Sequence, residues 1–424
     1  MAETIQKSNL LFRLIDPLRP TSAHADRAFR FTAGRLSWML PAGIGIGLLV
    51  ISAVWGVTDP TQFFFSYLVG WTFSLTVTLG CLFFVLVHHL TKAHWGVVVR
   101  RIPEAVAYAF PMLLVLFIPI VFGMHDLYHW THHELFDPAS PEYDPIIAGK
   151  QAYLNQPFFF ARVLFYFLMW SIIAYRLYTL SVRQDVHPEH DIPKRQRTVS
   201  AWGLPVFAVT TAFASYDLLM SLDPHWFSTI FGVYFFAGAV FAAFAFIAFM
   251  ALLLQRRGGM LKHTITKEHY HDLGKYMFGF TAFWAYIAFS QYMLIWYGGI
   301  PEETVFFRHR LEHGWEYHTT ALVFLHFVVP FLILLPRASK RALPLLGVMT
   351  VWFFIMQWFD LHWLAMPVKD MLYGGHAGFH LLDFTCWLGL FSLLIAATVY
   401  RLSRHSLVPQ NDPRLAESLH FENV

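Results

Sequence analysis

Residues 226–255 read WFSTIFGVYFFAGAVFAAFAFIAFMALLLQ, without a single charged side chain. A helix needs about 20 apolar residues to cross the hydrocarbon core of a bilayer, and this run exceeds that. A water-facing helix keeps one polar side, whereas here Phe, Ala, Leu and Ile surround the whole axis. The stretch therefore predicts a transmembrane helix. Working outward, nine further stretches meet the same test, at 36–57, 62–90, 98–123, 155–180, 198–221, 273–298, 316–336, 342–365 and 377–402. The predicted fold class is an all-α integral membrane protein with about ten transmembrane helices.

Composition agrees. Of 424 residues 57% are apolar and only 13% charged, against about 25% charged in soluble domains, and mean hydropathy is +0.48. This excludes an ordinary soluble enzyme, and also a disordered chain, which needs low hydrophobicity. Phe alone contributes 44 residues.

An even number of spans places both termini on one side. Positive charge marks the cytoplasmic side of membrane proteins. Here 25 of the 30 lysines and arginines fall on the side of the termini. The opposite side holds only Lys150, Arg308, Arg310 and Lys369, with Arg162 inside helix 4. Both termini are predicted cytoplasmic, as a segment 1–35 and a tail 403–424. The opening MAETIQKSNLLFRLIDPLRP has no apolar core long enough for a cleaved signal peptide. The net charge of +3 is spread over loops and does not point to nucleic acid. The longest external loops are 124–154 and 299–315, and no cytoplasmic loop could house a soluble catalytic domain. The work of the chain is expected inside the membrane or against partner subunits.

Cys81 and Cys386 both lie in apolar runs, and no CxxC or CxxCH occurs. Neither an iron–sulfur cluster, a c-type haem nor zinc is expected on this chain. His125, His129, His132 and His133 have spacing compatible with a metal, but a water-exposed histidine loop reads more simply as a solvated or docking surface, and no metal is expected. His88 and His326 lie at different depths, so they do not read as axial ligands of a haem b.

Ionisable groups cost roughly 2.5–3.5 kcal/mol at membrane depth, so each needs a reason. Helix 2 ends VLVHHLTKAHW, with His88 and His89, and helix 3 opens RRIPEAVAY, with Arg100, Glu104 and Tyr108 on one face. An arginine neutralising Glu104 and a proton entry point fed by the histidines are compatible readings. Towards the outside, Asp217 lies about one turn inside the membrane, and Asp223–Pro224–His225 read as a tight turn with Asp223 as a helix cap. Glu316 and His318 open helix 8, Asp360 and His362 end helix 9, and His376, His380 and Asp383 share a face of helix 10 by spacing. Asp217, Glu316, Asp360 and Asp383 all fall at outer depths and predict one wet, protonatable cavity. The plain alternative is a hydrogen-bonded network that only holds helices together.

The stretches SLDPHWFSTIFGVYFFAGAVFAAFAFIAFM (221–250), TAGRLSWMLPAGIGIG (32–47) and FLHFVVPFLILLPR (324–337) carry a resemblance. Over roughly 36–402 the chain resembles the NrfD-like F subunit of bacterial alternative complex III, a relative of the membrane subunits of polysulfide and nitrite reductases. The resemblance implies two four-helix bundles, helices 2–5 (62–221) and 6–9 (226–365), flanked by helix 1 (36–57) and helix 10 (377–402). It implies a place in the bacterial cytoplasmic membrane, within a complex that oxidises menaquinol. Electrons would pass to cytochrome c, another periplasmic carrier or an associated terminal oxidase. Haem c and iron–sulfur clusters would sit in partner subunits, and none on this chain. The partners implied are a second NrfD-like quinol-binding subunit, an iron–sulfur subunit, haem c subunits and small membrane subunits. In this family quinol oxidation is assigned mainly to the paralogous C subunit, while the F subunit is credited with a quinone-facing surface and proton-conducting half-channels. The proton path expected here runs through His88, His89, Glu104, Tyr108, Asp217, Asp223, His225, Glu316, His318, Asp360, His380 and Asp383. One rival is a scaffold subunit with no path. The other is a secondary transporter, which often has helices broken near the midplane. The sequence shows no prominent breaks of that kind.

Overall fold

A computed structural model describes residues 29–187, 189–256 and 259–423. The segment 1–35 expected on the cytoplasmic side therefore lies almost wholly outside the described residues. Among those described there are helices and no strands. Ten helices are long and apolar enough to cross a membrane: α1 (Leu36–Gly56), α2 (Pro60–Leu90), α3 (Arg101–Phe122), α4 (Gln156–Val186), α5 (Ile192–Leu222), α6 (Phe231–Arg256), α7 (Lys267–Gly298), α8 (Trp315–Leu334), α9 (Leu343–Tyr373) and α10 (Leu381–Arg404). The chain is a multi-pass membrane protein. All ten expected spans are present, and the differences are at their ends. α4, α5, α7 and α9 run several residues beyond the apolar stretch, because helical hydrogen bonding does not stop where the hydrocarbon does. α6 starts later than expected, at Phe231, and Trp226 precedes it in a non-helical link.

α2 and α6 are the central helices. The most apolar stretches of α2 and α6 are 94% and 89% buried, against 17% for α1. The two pack directly on each other, and their closeness depends on Gly80. A Cβ there would lie 2.2 Å from the Ala239 carbonyl oxygen and 2.5 Å from the Ala243 methyl. Small residues let membrane helices approach until backbones touch, and van der Waals packing then replaces the missing hydrophobic drive. Around α2 stand α3, α5, α9 and α10, and around α6 stand α5, α7 and α9. α1 packs mainly on α10.

Two spans are irregular, which corrects the expectation of unbroken helices. α3 is three short pieces, Arg101–Ala107, Phe110–Val115 and Ile118–Phe122. Pro111 and Pro119 each stand at the start of the next piece. Proline lacks the N–H that would close the preceding turn and crowds the residue before it. Around the second break the backbone N–H groups of Phe117 and Ile120 turn to Leu114 O and Phe117 O, and α2 meets the carbonyls left over: the Trp71 indole donates to Leu113 O at 2.9 Å and the Tyr67 hydroxyl to Leu116 O at 2.8 Å. α8 contains a π-helical stretch, Leu322–Val328, just before Pro330.

The C-terminal segment is packed against the helix ends. Leu407 N donates to Phe29 O at 2.9 Å, and Ser418 Oγ to Trp95 O at 2.8 Å. This marks one end of the molecule, with the start of α3 and the ends of α4 and α10, as the tail end.

Candidate functional site

The polar residues of the membrane region do not form one site. They gather in four places, each built by different helices.

At the tail end, Arg100 stands at the N-cap of α3 and Arg101 opens it, both fully buried. Arg100 Nε lies 3.0 Å from Glu104 Oε1, one turn along the helix, and its Nη2 lies 2.7 Å from Asp412 of the tail. Arg101 reaches Asp185 of α4 at 2.7 Å and Glu104 Oε2 at 3.8 Å. Ser181 Oγ donates to Glu104 Oε2 at 2.8 Å. Burial alone would raise the Asp412 carboxyl, but the Arg100 and Arg414 guanidiniums outweigh it and hold that group well below the ordinary carboxylate range. The expected neutralisation of Glu104 by its arginines is present, with two further carboxylates that the spacing did not reveal. His88 and His89 are buried nearby, but among the described residues the Nε2 atom of each has no hydrogen-bond partner. The His88 ring stacks on Phe84 at 5.4 Å. Tyr108 ends the first piece of α3, with the Arg401 guanidinium 3.8 Å above its ring.

At the opposite end, Asp217 of α5 is fully buried and held by Arg162 of α4, Nε at 2.9 Å and Nη2 at 2.8 Å. The Tyr166 hydroxyl donates to it at 2.7 Å. Asp217 therefore has a complete set of partners and does not open into a shared cavity. The partner was legible in hindsight. α4 and α5 are antiparallel neighbours; Arg162 lies 24 residues before the end of α4, and Asp217 lies 25 after the start of α5. Equal distances from one turn mean equal depth.

A third group does form a polar cavity, of about 160 Å³, between α2, α9 and the start of α10. Asp383 Oδ1 accepts from Ser66 Oγ at 2.5 Å and from Gln62 Nε2 at 2.9 Å, and His362 Nε2 lies 3.4 Å from Oδ2. Lys369 Nζ donates to Gln62 Oε1 at 2.8 Å. His376 and His380 also line the cavity. They do not share a helical face with Asp383, as the spacing suggested, because α10 begins only at Leu381. His380 is instead the cap: its Nδ1 accepts from Leu382 N at 3.2 Å, while Asp383 Oδ2 accepts from His380 N at 2.7 Å. Gly374 and Gly375, both with positive φ, keep the preceding chain out of the helix.

The fourth group is Asp360, fully buried between α6, α7 and α9. It accepts hydrogen bonds from the Tyr234 hydroxyl and, at 3.3 Å, from the Trp284 indole. Tyr234 and Trp284 line an apolar cavity of about 380 Å³ between α7 and α8, walled mostly by aromatic and aliphatic residues such as Phe231, Phe306, Phe327 and Leu322. His326, in the π-helical stretch, is stacked between Trp284 at 3.8 Å and Phe241 at 4.4 Å, and neither ring nitrogen has a hydrogen-bond partner among the described residues. Near the cavity Arg310 is fully buried, donating to the carbonyls of Phe306, Trp363 and Leu364 at 2.7–3.2 Å. Burial lowers its guanidinium to about 9, which leaves it charged at neutral pH.

The remaining expected residues lie apart. Asp223 caps no helix, since α6 begins only at Phe231, and its Oδ2 has no hydrogen-bond partner among the described residues. His225 is exposed, with Nε2 2.5 Å from Asp144 Oδ2. Glu316 Oε2 accepts from Gly314 N at 2.9 Å, closing its own turn. The His318 ring packs on Trp315 at 4.7 Å and lies 6.3 Å from His362, with no hydrogen bond to its nitrogens. The single cavity expected from Asp217, Glu316, Asp360 and Asp383 is thus replaced by separate environments, because the four side chains leave their helices towards different neighbours. Compared with known proteins, the chain matches no protein-family model and no curated protein.

Proposed function

We propose that this chain is a membrane subunit of a quinol-oxidising respiratory complex of the alternative complex III type, and that it presents a quinone-facing pocket between α7 and α8. The observation that carries this reading is the apolar cavity of about 380 Å³ whose wall ends in the Tyr234–Asp360 hydrogen bond. A quinol is a flat ring with two hydroxyls on a greasy tail. It needs an apolar slot, aromatic faces and a proton acceptor at one end, and pockets for such ligands fall at about 300–1,000 Å³. Tyr234 already donates to Asp360, so a proton released by a quinol hydroxyl has a relay waiting. Electrons would leave through haem c and iron–sulfur centres of partner subunits.

Helix packing supports the family's architecture. α2 touches α3 and α5, and α4 touches both; α6 touches α7 and α9, and α8 touches both. Each set closes a ring of four, with α1 and α10 outside. The charge asymmetry supports cytoplasmic termini in the bacterial cytoplasmic membrane. Two protonatable regions suit half-channels. Glu104 lies at the tail end and the Asp383–His362 cavity at the other, with the tightly packed α2–α6 contact between them. The scaffold reading is favoured where charges are closed off, at the Arg162–Asp217 pair and in the ion pairs that Arg100 and Arg101 make with Glu104.

The test uses the whole assembly purified from membranes and a photoreactive menaquinone analogue. Cross-linking is expected in peptides around Trp284 and Val323, suppressed by excess menaquinol and lost in Ala288→Trp, which fills the cavity. Absence of labelling in α7 and α8 would remove the pocket from the proposal. Purification without a haem c subunit would remove the complex.

A further inference from the structure

Two other cavities meet on the flank of the tail end. One, of about 630 Å³, lies between the end of α4 and the start of α5 and is lined by Arg176, Arg183, Lys194 and Arg195 against a single carboxylate, Asp191. The other, of about 690 Å³, is an apolar groove between α3, α4 and α10. Tyr175 and Arg176 line both. The groove exists because small residues, Ala105, Ala109, Ala174 and Ala397, face one another beside the Pro111 break.

Among the described residues the charge in the first cavity is not balanced. Arg183 is paired with Glu189 at 2.6 Å, while Arg176, Lys194 and Arg195 have no carboxylate within ion-pair distance among the described residues. Lys194 and Arg195 stand in the first turn of α5, which has no acidic residue and whose N-cap, Asp191, makes no side-chain cap. Cations at the positive end of a helix dipole repel it, and Asp191 is the single carboxylate lining the cavity to offset them, so a further anion would stabilise the arrangement. Next to the cations lies a groove with an apolar lining, formed entirely by membrane-spanning helices. Phosphate chemistry beside acyl-chain chemistry, at a membrane boundary, describes one class of molecule. Basic pockets between transmembrane helices take anionic lipid headgroups in this way.

We propose that the paired cavities hold an anionic phospholipid from the leaflet at the tail end, its phosphate against Arg176, Lys194 and Arg195 and an acyl chain in the groove between α3, α4 and α10. Arg401, its guanidinium 3.8 Å above the Tyr108 ring, stands on the far wall of the groove. The site does not depend on the quinone reading and lies on the other half of the molecule.

The test is a lipid titration of the delipidated assembly in detergent, read by native mass spectrometry, with phosphatidylglycerol, phosphatidylcholine and glycerol 3-phosphate as probes. Phosphatidylglycerol is expected to bind about tenfold more tightly than phosphatidylcholine. Each of Arg176→Gln, Lys194→Gln and Arg195→Gln is expected to weaken it about fivefold without changing phosphatidylcholine. Lys262→Gln, exposed elsewhere on the same end, should change neither. Equal binding of the two lipids, or an unchanged affinity in the triple variant, overturns the proposal. Displacement of phosphatidylglycerol by glycerol 3-phosphate at equal concentration overturns it in favour of a free-anion site.

Discussion

Arg162 and Asp217 face each other across α4 and α5 as a two-pronged ion pair, Nε to Oδ2 at 2.9 Å and Nη2 to Oδ1 at 2.8 Å. Removing one partner leaves the other as an unpaired buried charge. Asp217→Ala is expected to destabilise the protein by about 3–5 kcal/mol, while Arg162→Met combined with Asp217→Leu recovers much of the loss. Thermal unfolding in detergent measures both. An Asp217→Ala protein that melts with the wild type would show the pair to be idle.

Asp412 ties the C-terminal segment to Arg100. Its carboxyl is held below the ordinary range, so its contribution is complete at neutral pH. It is lost only as pH falls below the unfolded value of about 4 towards the folded one. The tail should therefore stay protected from protease at pH 5 and loosen under stronger acid. Asp412→Asn should loosen it already at pH 7. Limited proteolysis between residues 405 and 423 distinguishes these outcomes.

Gly80 and Gly279 are both helical glycines and should respond oppositely to the same change. At Gly80 an added methyl meets the backbone of α6, and Gly80→Ala is expected to cost about 1–3 kcal/mol. At Gly279 there is open space, and Gly279→Ala should be neutral or stabilise by up to about 1 kcal/mol. Paired melting curves give the comparison directly.

Labelling settles the sidedness. Cysteines replacing Lys150 and Lys194 should react with an impermeant maleimide from opposite faces of sealed vesicles, Lys194→Cys from the cytoplasmic one. Reaction of both from one face would require a different number of crossings.

Proton traffic is expected to follow Asp360 and Glu104 rather than Asp217. Asp360→Asn, Tyr234→Phe and Glu104→Gln should leave the complex assembled and lower its proton-to-electron ratio in proteoliposomes. An unchanged ratio in all three would leave the chain with a scaffolding role.

The spans were readable because apolar runs of about 20 residues have few other uses in a protein. The neutralisation of Glu104 was readable because Arg100 is one turn away. Asp412 and Asp185 were not, since they reach the same cluster from 312 and 84 residues along the chain. The same distance problem hid the Asp383 cavity, whose Ser66 and Gln62 lie more than 300 residues earlier. Spacing also misassigned His380, because it assumed a helix where glycines delay one. Asp217 reads as a proton-path residue only while Arg162 is left unpaired.

The breaks in α3 bear on how the protein is made. Its released carbonyls at Leu113 and Leu116 are quenched by Trp71 and Tyr67 of the helix before it. Alone in lipid, α3 would carry two bare oxygens that hydrocarbon cannot solvate. Entering the bilayer together with α2, as a hairpin, lets α3 bury those oxygens against Trp71 and Tyr67 from the start. Trp71 and Tyr67 are then chaperoning groups built into the chain itself, and changing them should show first as degraded nascent protein and only later as a weaker finished one.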